Sequence, residues 1–283
     1  MVSFTAPAVA SAGTTSVRTI PTLTAIRAAH HRGFDRLVFQ FKGPLPAHRT
    51  VRYVHKVLGE GSGQPILLTG NARLDVRFWD ATGISQSGHI TYGPTRRAFA
   101  LPNLVQLASA GELELHLGFG VGLTRKTHLT VFTLRDPSRV VIDVATPFRT
   151  VPVKAYLFKA KAFANNHEPF VRAVRRPVIP PRVATGALQR LFAGPTVADM
   201  ANGLSLLRSA ATGIRLMSIR DGVARVQLLG GCNARGSTAS IALEIMPTLK
   251  QFASVHWVKI YDPAGHTGEP TGHSDSIPEC LNP

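Results

Sequence analysis

Val131-Phe132-Thr133-Leu134-Arg135-Asp136-Pro137-Ser138-Arg139-Val140-Val141-Ile142-Asp143-Val144 decides the reading of the first half of this chain. β-Branched and aromatic residues fill both flanks of the segment. Between them, Asp136-Pro137-Ser138-Arg139 has the chemistry of a turn: proline fixes φ, and the aspartate side chain can bond the backbone that follows. The pattern predicts strands over 127–134 and 140–144. Working back toward the N-terminus, Leu74–Trp79 reads as a strand. So does Val51–Leu58, with Tyr53, His55 and Val57 on one side. Phe34–Phe41 puts Leu37, Phe39 and Phe41 on one face. Gly43-Pro44 and the glycine-rich Gly59–Gly63 interrupt these runs. Glu112–Phe119 alternates: Leu113, Leu115 and Leu117 face one way, while Glu112, Glu114 and His116 face the other, as in a strand buried on one face. Residues 80–98 carry Gly83, Gly88 and Gly93-Pro94 and predict a long loop. No strong amphipathic helix precedes residue 146, so this half is mostly β.

Beyond residue 149 the period changes. Val153–Phe158 and Phe170–Val174 read as strands. Ala184–Ala193 is a helix, because Ala184, Ala187, Leu188, Leu191 and Phe192 recur at i, i+3, i+4, i+7 and i+8. Gly194 then suits the helix end, and Pro195 cannot continue it. Thr196 with Asp199 three residues on is a variant capping box for a short following helix. Ile214–Ile219 and Val223–Leu229 flank Asp221-Gly222, a strong hairpin signal. Ser237–Phe252 predicts a second long helix, and Val255–Tyr261 a closing strand. Pro247 falls inside that helix and predicts a kink near Leu243, unless the helix starts later. The order β-β-α-α-β-β-α-β is that of an α+β domain.

Only 17% of residues are charged and 44% are hydrophobic, a globular balance. No apolar run approaches 18 residues, so no transmembrane helix is expected. The net charge is +16, with sixteen basic and eight acidic residues in 1–148 and the same numbers in 149–283. The excess is therefore not a basic tail. It favours polyanionic partners such as nucleic acid, acidic lipid headgroups or an anionic wall polymer. High-GC codon usage also enriches arginine and accounts for the charge equally well. Residues 1–25 are rich in Ala, Ser, Thr and Pro without period, and 1–23 are assigned as a flexible leader. Ala10-Ser11-Ala12 before Gly13 fits a signal-peptide cleavage pattern that lacks its basic start.

The sequence carries no recognisable catalytic motif. No G-x-S-x-G elbow occurs, and Gly83-Ile84-Ser85-Gln86-Ser87-Gly88 has the wrong spacing. No H-E-x-x-H is present, so no metal ligands are assigned. Gly118-x-Gly120-x-Gly122 lacks the lysine and helix of a phosphate loop and reads as a bulge or bend. Asp35 and Arg36, and Asp136 with Arg139 and Asp143, are candidates for structural ion pairs. The densest basic cluster is Lys159, Lys161, Arg172, Arg175 and Arg176, and it could clamp carboxylates or phosphates. A solvated strand edge explains it as well. Arg96-Arg97 and Arg125-Lys126 are weaker candidates of the same kind. Cys232 and Cys280 are either free thiols or a bridge pinning the C-terminal tail, which needs an oxidising compartment.

Two resemblances extend this reading. Residues 149–265 resemble a GerMN domain of sporulation and spore-germination envelope proteins. The matching pieces are Val153–Phe158, Arg175-Arg176-Pro177, Leu191-Phe192-Ala193-Gly194-Pro195-Thr196, Asp221–Val226 and Thr248-Leu249-Lys250-Gln251-Phe252. Residues 24–147 resemble the AMIN-like domain found beside it in actinobacterial envelope lipoproteins. They do so through Ile26-Arg27, Phe34–Phe39, Gly43-Pro44-Leu45-Pro46, Val51–Val54, Gly118–Leu123 and, best of all, Val131–Val144. The resemblance implies a β-sandwich-like domain and envelope targeting, with peptidoglycan contact in the wider AMIN group. The lipoprotein cysteine usual in such proteins is not visible.

The expectation is thus a multidomain chain. A leader occupies 1–23, a mostly-β sandwich-like domain 24–148, a GerMN-like α+β domain 149–265, and an irregular tail 266–283. The expected function is non-catalytic and extracytoplasmic: binding peptidoglycan or another anionic wall polymer, or scaffolding envelope proteins, with no cofactor. A nucleic-acid binder is the alternative, disfavoured because aromatic residues are sparse and no reading helix is visible. A glycan hydrolase is less favoured still. The envelope resemblance favours the Cys232–Cys280 bridge over free thiols.

Overall fold

The computed structural model describes residues 19–207, 209–233 and 238–282. The leader through residue 18, and Ser237 at the start of the expected last helix, lie outside the described residues. The first half forms β1 (Thr22–His31), β2 (Phe34–Lys42), β3 (His48–Val54), β4 (Ala72–Trp79), β5 (Arg96–Ala98), β6 (Leu104–Leu113), β7 (His116–Leu123), β8 (Leu129–Leu134) and β9 (Arg139–Ala145). They make two antiparallel sheets, ordered β1-β2-β9-β8 and β3-β4-β7-β6-β5. The apolar faces of the two sheets share one core. Leu37, Phe39 and Phe41 enter it from β2 and Val140, Ile142 and Val144 from β9; Leu74, Val76 and Phe78 from β4 meet Phe119 and Val121 from β7. Phe39 sits 5.1 Å from Phe78 and 5.2 Å from Phe119, centroid to centroid, in tilted and edge-on geometries that complement ring quadrupoles.

Three expectations change here. β1 begins at Thr22, inside the assigned leader, because it pairs along nearly its whole length with β2. The strand expected over 112–119 is the turn of a β6–β7 hairpin: Glu114 and Leu115 have φ of 50° and 62°. Alternation survives across this two-residue connection, so the period alone hides the turn. The long loop of 80–98 ends in the short edge strand β5.

Gly118, Gly120 and Gly122 lie in β7, the first and last of them beside register irregularities in β6. A Cβ on Gly120 would sit 2.6 Å from Leu68, and one on Gly122 only 2.0 Å from the Thr69 carbonyl oxygen. The stripe is therefore a channel in the outer face of the sheet. The segment between β3 and β4, which we call the strap, lies in it and buries Val57 and Leu68 against Ala108 and Ala110.

The second half forms β10 (Val151–Lys159), α1 (Ala160–Ala164), β11 (Val171–Val178), α2 (Val183–Phe192), α3 (Val197–Ala201), β12 (Leu204–Ser205), β13 (Gly213–Arg220), β14 (Val223–Leu229), α4 (Ala242–Lys250) and β15 (Trp257–Tyr261). The expected order holds, with α1 and β12 added. One sheet runs β11-β10-β12 and the other β13-β14-β15. β13 and β14 are joined by the Asp221-Gly222 turn, both residues at positive φ. β14 then returns through α4 to the parallel strand β15, a β-α-β crossover. α4 starts late, at Ala242, so Pro247 removes a bond only to the carbonyl of the exposed Leu243, which water can satisfy.

The tail is irregular yet anchored. Cys232 and Cys280 form a disulfide. The Ser276 amide bonds the Val258 carbonyl and the Ile260 amide bonds Ser276 in return. Beneath it, the fully buried Lys259 ammonium donates to the Glu269 carbonyl and the Ser274 hydroxyl.

The two halves dock through α2. Arg190 is buried, and its guanidinium donates to the carbonyls of Phe99, Leu101, Pro102 and Leu104 and to the Thr124 hydroxyl, at 2.7–3.2 Å. On the far side of the same loop, the buried carboxylate of Asp35 accepts the amides of Asn103 and Leu104. Gln106 donates to the Ala193 carbonyl, and the Ala98 amide to Pro195. Replacing Arg190 with methionine strands the buried Leu104 carbonyl and three part-buried ones. Arg190→Met is expected to lower the unfolding free energy by about 3 kcal/mol or more, read from urea midpoints. A loss below about 0.5 kcal/mol, the range of ordinary surface substitutions, would refute this role.

Candidate functional site

The cations singled out in the sequence separate in space. In the β10–β11 ladder, Val153 faces Arg176, Lys154 faces Arg175 and Leu157 faces Arg172. Side chains alternate along a strand, so Arg175 points away from Arg172 and Arg176. Arg176 is buried and ion-paired with Asp199. Burial pushes the Asp199 carboxyl up, but the Thr196 hydroxyl and amide and the Arg176 charge outweigh it and hold Asp199 below the usual range. The expected Thr196–Asp199 capping box is present. Lys159 donates to the Pro169 carbonyl, and Lys161 is exposed on α1. Arg97 is buried and donates to the carbonyls of Ile26, Tyr92 and Pro94. Arg96 donates to Leu67 and Gln106. Burial lowers the pKa of both arginines. Of the candidate set, Lys161, Arg172 and Arg175 are exposed cations on the β10–β11 side of the second half.

The ion pairs expected around Asp35 and Asp143 re-sort by register. Arg36 makes a two-pronged contact with Asp143, at 2.7 Å on each oxygen, from adjacent strands. That contact raises the pKa of Arg36. Asp35 instead turns inward, to His30 and the docking loop.

A polar groove of about 550 Å³ opens on the outer face of the five-stranded sheet, where the strap leaves it uncovered. Arg77 lies on its floor over Gly118, whose missing Cβ leaves room for the guanidinium. Arg77 bonds Asp75, Glu60 and the Leu58 carbonyl, and Arg52 stands 3.5 Å from Asp75. Trp79 and His116 pack edge to face at one end, with centroids 6.0 Å apart. Both carboxylates share one guanidinium, so this groove is nearly charge-balanced and suits hydrogen bonding to a polar ligand more than capture of an anion.

The most perturbed carboxyl is elsewhere. Glu244 on α4 is fully buried and accepts the amides of Phe158, at 3.0 Å, and Leu207, at 3.1 Å. Burial pushes its pKa up to about 8, and the two amides resist this only in part. It ties α4 to β10 and to the chain after β12, which is a structural position. Among the described residues, no three His, Cys, Asp or Glu stand where they could hold a metal ion.

An AMIN-like domain is found at residues 21–146. The match covers the sandwich and stops at Thr146, short of the region resembling GerMN. No curated protein and no solved structure matches the chain. AMIN-like domains are cell-wall or envelope associated, and with the disulfide this one points to an extracytoplasmic protein. Among the described residues no helix is long and apolar enough to cross a membrane, which says nothing of β-barrels. Sequence reasoning found this domain but missed Arg190, because a single arginine beside a helix's apolar stripe looks like one on its solvated face.

Glu244 carries a pH signature. Folded, it holds its proton up to about pH 8; unfolded, it releases it near 4.5. Between those values the native state binds the extra proton, so stability falls as pH rises, by at most about 1.4 kcal/mol per pH unit. Glu244→Gln keeps one acceptor and does not titrate. Its deficit relative to the parent protein is expected to be largest near pH 5 and to shrink toward pH 8 in paired urea titrations. A deficit that stays constant across that range would show that Glu244 does not titrate there.

Proposed function

We propose that this protein is a non-catalytic, extracytoplasmic component of the cell envelope that binds an anionic wall polymer. The AMIN-like domain carries the proposal, since such domains are associated with the wall or envelope. The +16 charge, shared equally between the halves, supports an anionic partner. The disulfide suits an oxidising compartment. We further propose that residues 149–265 are a GerMN-type module, on the order of their strands and helices. The docked halves would then work as one body, with the second half extending the surface of the first.

The non-catalytic reading rests on how the carboxylates are used. Asp75 and Glu60 are both tied to Arg77, Asp143 to Arg36 and Asp199 to Arg176. Glu244 is enclosed by its own fold. A glycan hydrolase needs two carboxyl groups free to face one substrate bond.

The test is retention on purified cell walls across a salt series. Retention at low salt that falls steeply as salt rises supports the proposal. Passage through the wall fraction at every salt overturns it. Zymograms with the same walls are expected to show no clearing, and a clearing band abolished by Asp75→Asn would overturn the non-catalytic reading.

A further inference from the structure

Two hollows along the junction of the halves share one bank, the face of α2. Arg182, Thr185, Gly186 and Gln189 line the first, of about 290 Å³, and Gln189 and Phe192 the second, of about 480 Å³. Positions 182, 185, 189 and 192 recur at three- and four-residue steps, so they form one stripe on the helix. At 1.5 Å per residue that stripe is about 15 Å long. The opposite bank belongs to the AMIN-like domain: Asn71, Thr124 and Arg125 at one end, and the strap from His55 to Gly70 with Arg73 at the other. A Gln189–Asn71 hydrogen bond of 2.8 Å marks the waist between the hollows.

No aspartate or glutamate lines either hollow. Besides Arg190, whose guanidinium is taken up by the docking loop, five cationic or titratable bases do: His55, Lys56, Arg73, Arg125 and Arg182. None of these side chains has a hydrogen bond or ion pair among the described residues, unlike Arg36, Arg77, Arg97, Arg176 and Arg190. The residues outside the description include no aspartate or glutamate to neutralise them. Unpaired cations between walls partly built of Ile66, Leu67, Val178 and Ile179 concentrate positive potential along the trough. Three of the five are arginines, whose planar forks match the oxygens of phosphate. Among the described residues, Phe192 and His55 are the only aromatic rings lining the two hollows, too few to stack successive bases.

We propose that this trough binds a linear, base-free phosphodiester polymer of the envelope, running along α2 between the two halves. The choice of an envelope polymer rests on the function proposed above; the site itself rests on the trough.

The test compares the full chain with two charge-matched triple variants. Arg73→Gln/Arg125→Gln/Arg182→Gln removes trough cations, and Lys154→Gln/Arg172→Gln/Arg175→Gln removes as many from the exposed faces of β10 and β11. The probes are lipid-free poly(glycerol phosphate), hyaluronate as a carboxylate polymer, and oligo(dT). Their affinities are measured at several salt concentrations, with thermal melts confirming that each variant folds. The trough variant is expected to lose about tenfold or more in affinity for poly(glycerol phosphate), and its salt slope should drop by about two to three. The β10–β11 variant should lose less than about threefold. Equal losses in the two variants, or none in the trough variant, overturn the site. Equal or tighter binding of hyaluronate or oligo(dT) overturns the phosphodiester assignment. If walls retain the parent and the trough variant alike, the site falls and the envelope function stands. If walls retain neither while poly(glycerol phosphate) binding still depends on the trough, the envelope function falls and the site stands.

Discussion

Arg190 is the constraint on which the arrangement of the two halves depends. Burying a guanidinium costs several kcal/mol unless its donors are met, and here five acceptors from the first half meet them. Burial and the neighbouring Arg176 charge pull its pKa down to about 9, with Asp35 pulling the other way, so it stays charged at neutral pH. Arg190 grips the loop of residues 99–104 by its carbonyls while Asp35 grips it by its amides. A loop held from both sides by opposite charges has little freedom to shift. α2 is therefore fixed against the sandwich, and the contacts at Gln106 and Ala98 follow from that placement. The trough along the exposed side of α2 exists because its buried side is held.

The sequence was most informative where a local period met a matching turn. The Val131–Val144 hairpin, the alternation of Leu37, Phe39 and Phe41, the Asp221-Gly222 turn and the apolar stripe of α2 each carry their structural cause within about ten residues. The Glu112–Phe119 segment shows where this fails. A two-residue turn leaves the alternation intact, so the hairpin was legible only through strand partners far away in sequence. β1 was hidden for a related reason. Its small residues carry no strong period of their own, and pairing with β2 makes it a strand. The glycine stripe in β7 reads from sequence as a bulge or bend, and its use appears only when Thr69 and Leu68 are seen lying over it.

The candidate cations show a second limit. Adjacent basic residues attract notice in a sequence, yet strand alternation sends neighbours to opposite faces, and a buried neighbour must find a partner. Arg176 found Asp199, and Arg97 found three carbonyls. Once bonded and desolvated, such an arginine is a poor ligand site, because engaging a phosphate would strand the groups it already satisfies. Lys56, Arg73 and Arg182 are scattered along the chain with no other lysine or arginine beside them, Arg125 has Lys126 as its neighbour, and the fold brings all four to one trough.

The even distribution of charge takes on meaning in that light. Had the basic excess resided in one half, a single face of one domain could have served any polyanion and docking would have been incidental. With sixteen basic residues in each half, the docking decides which of them stand together. Arginines that hold the halves in register are saturated by carbonyls or carboxylates; those on the banks between the halves are not. The first set fixes the geometry in which the second set can act together. A change at Arg190 would therefore disturb the trough without touching any of its unpaired cations, and a change at Arg125 or Arg182 would alter its charge while leaving the docking bonds in place. That separation makes the two roles experimentally distinct, although arginines carry both.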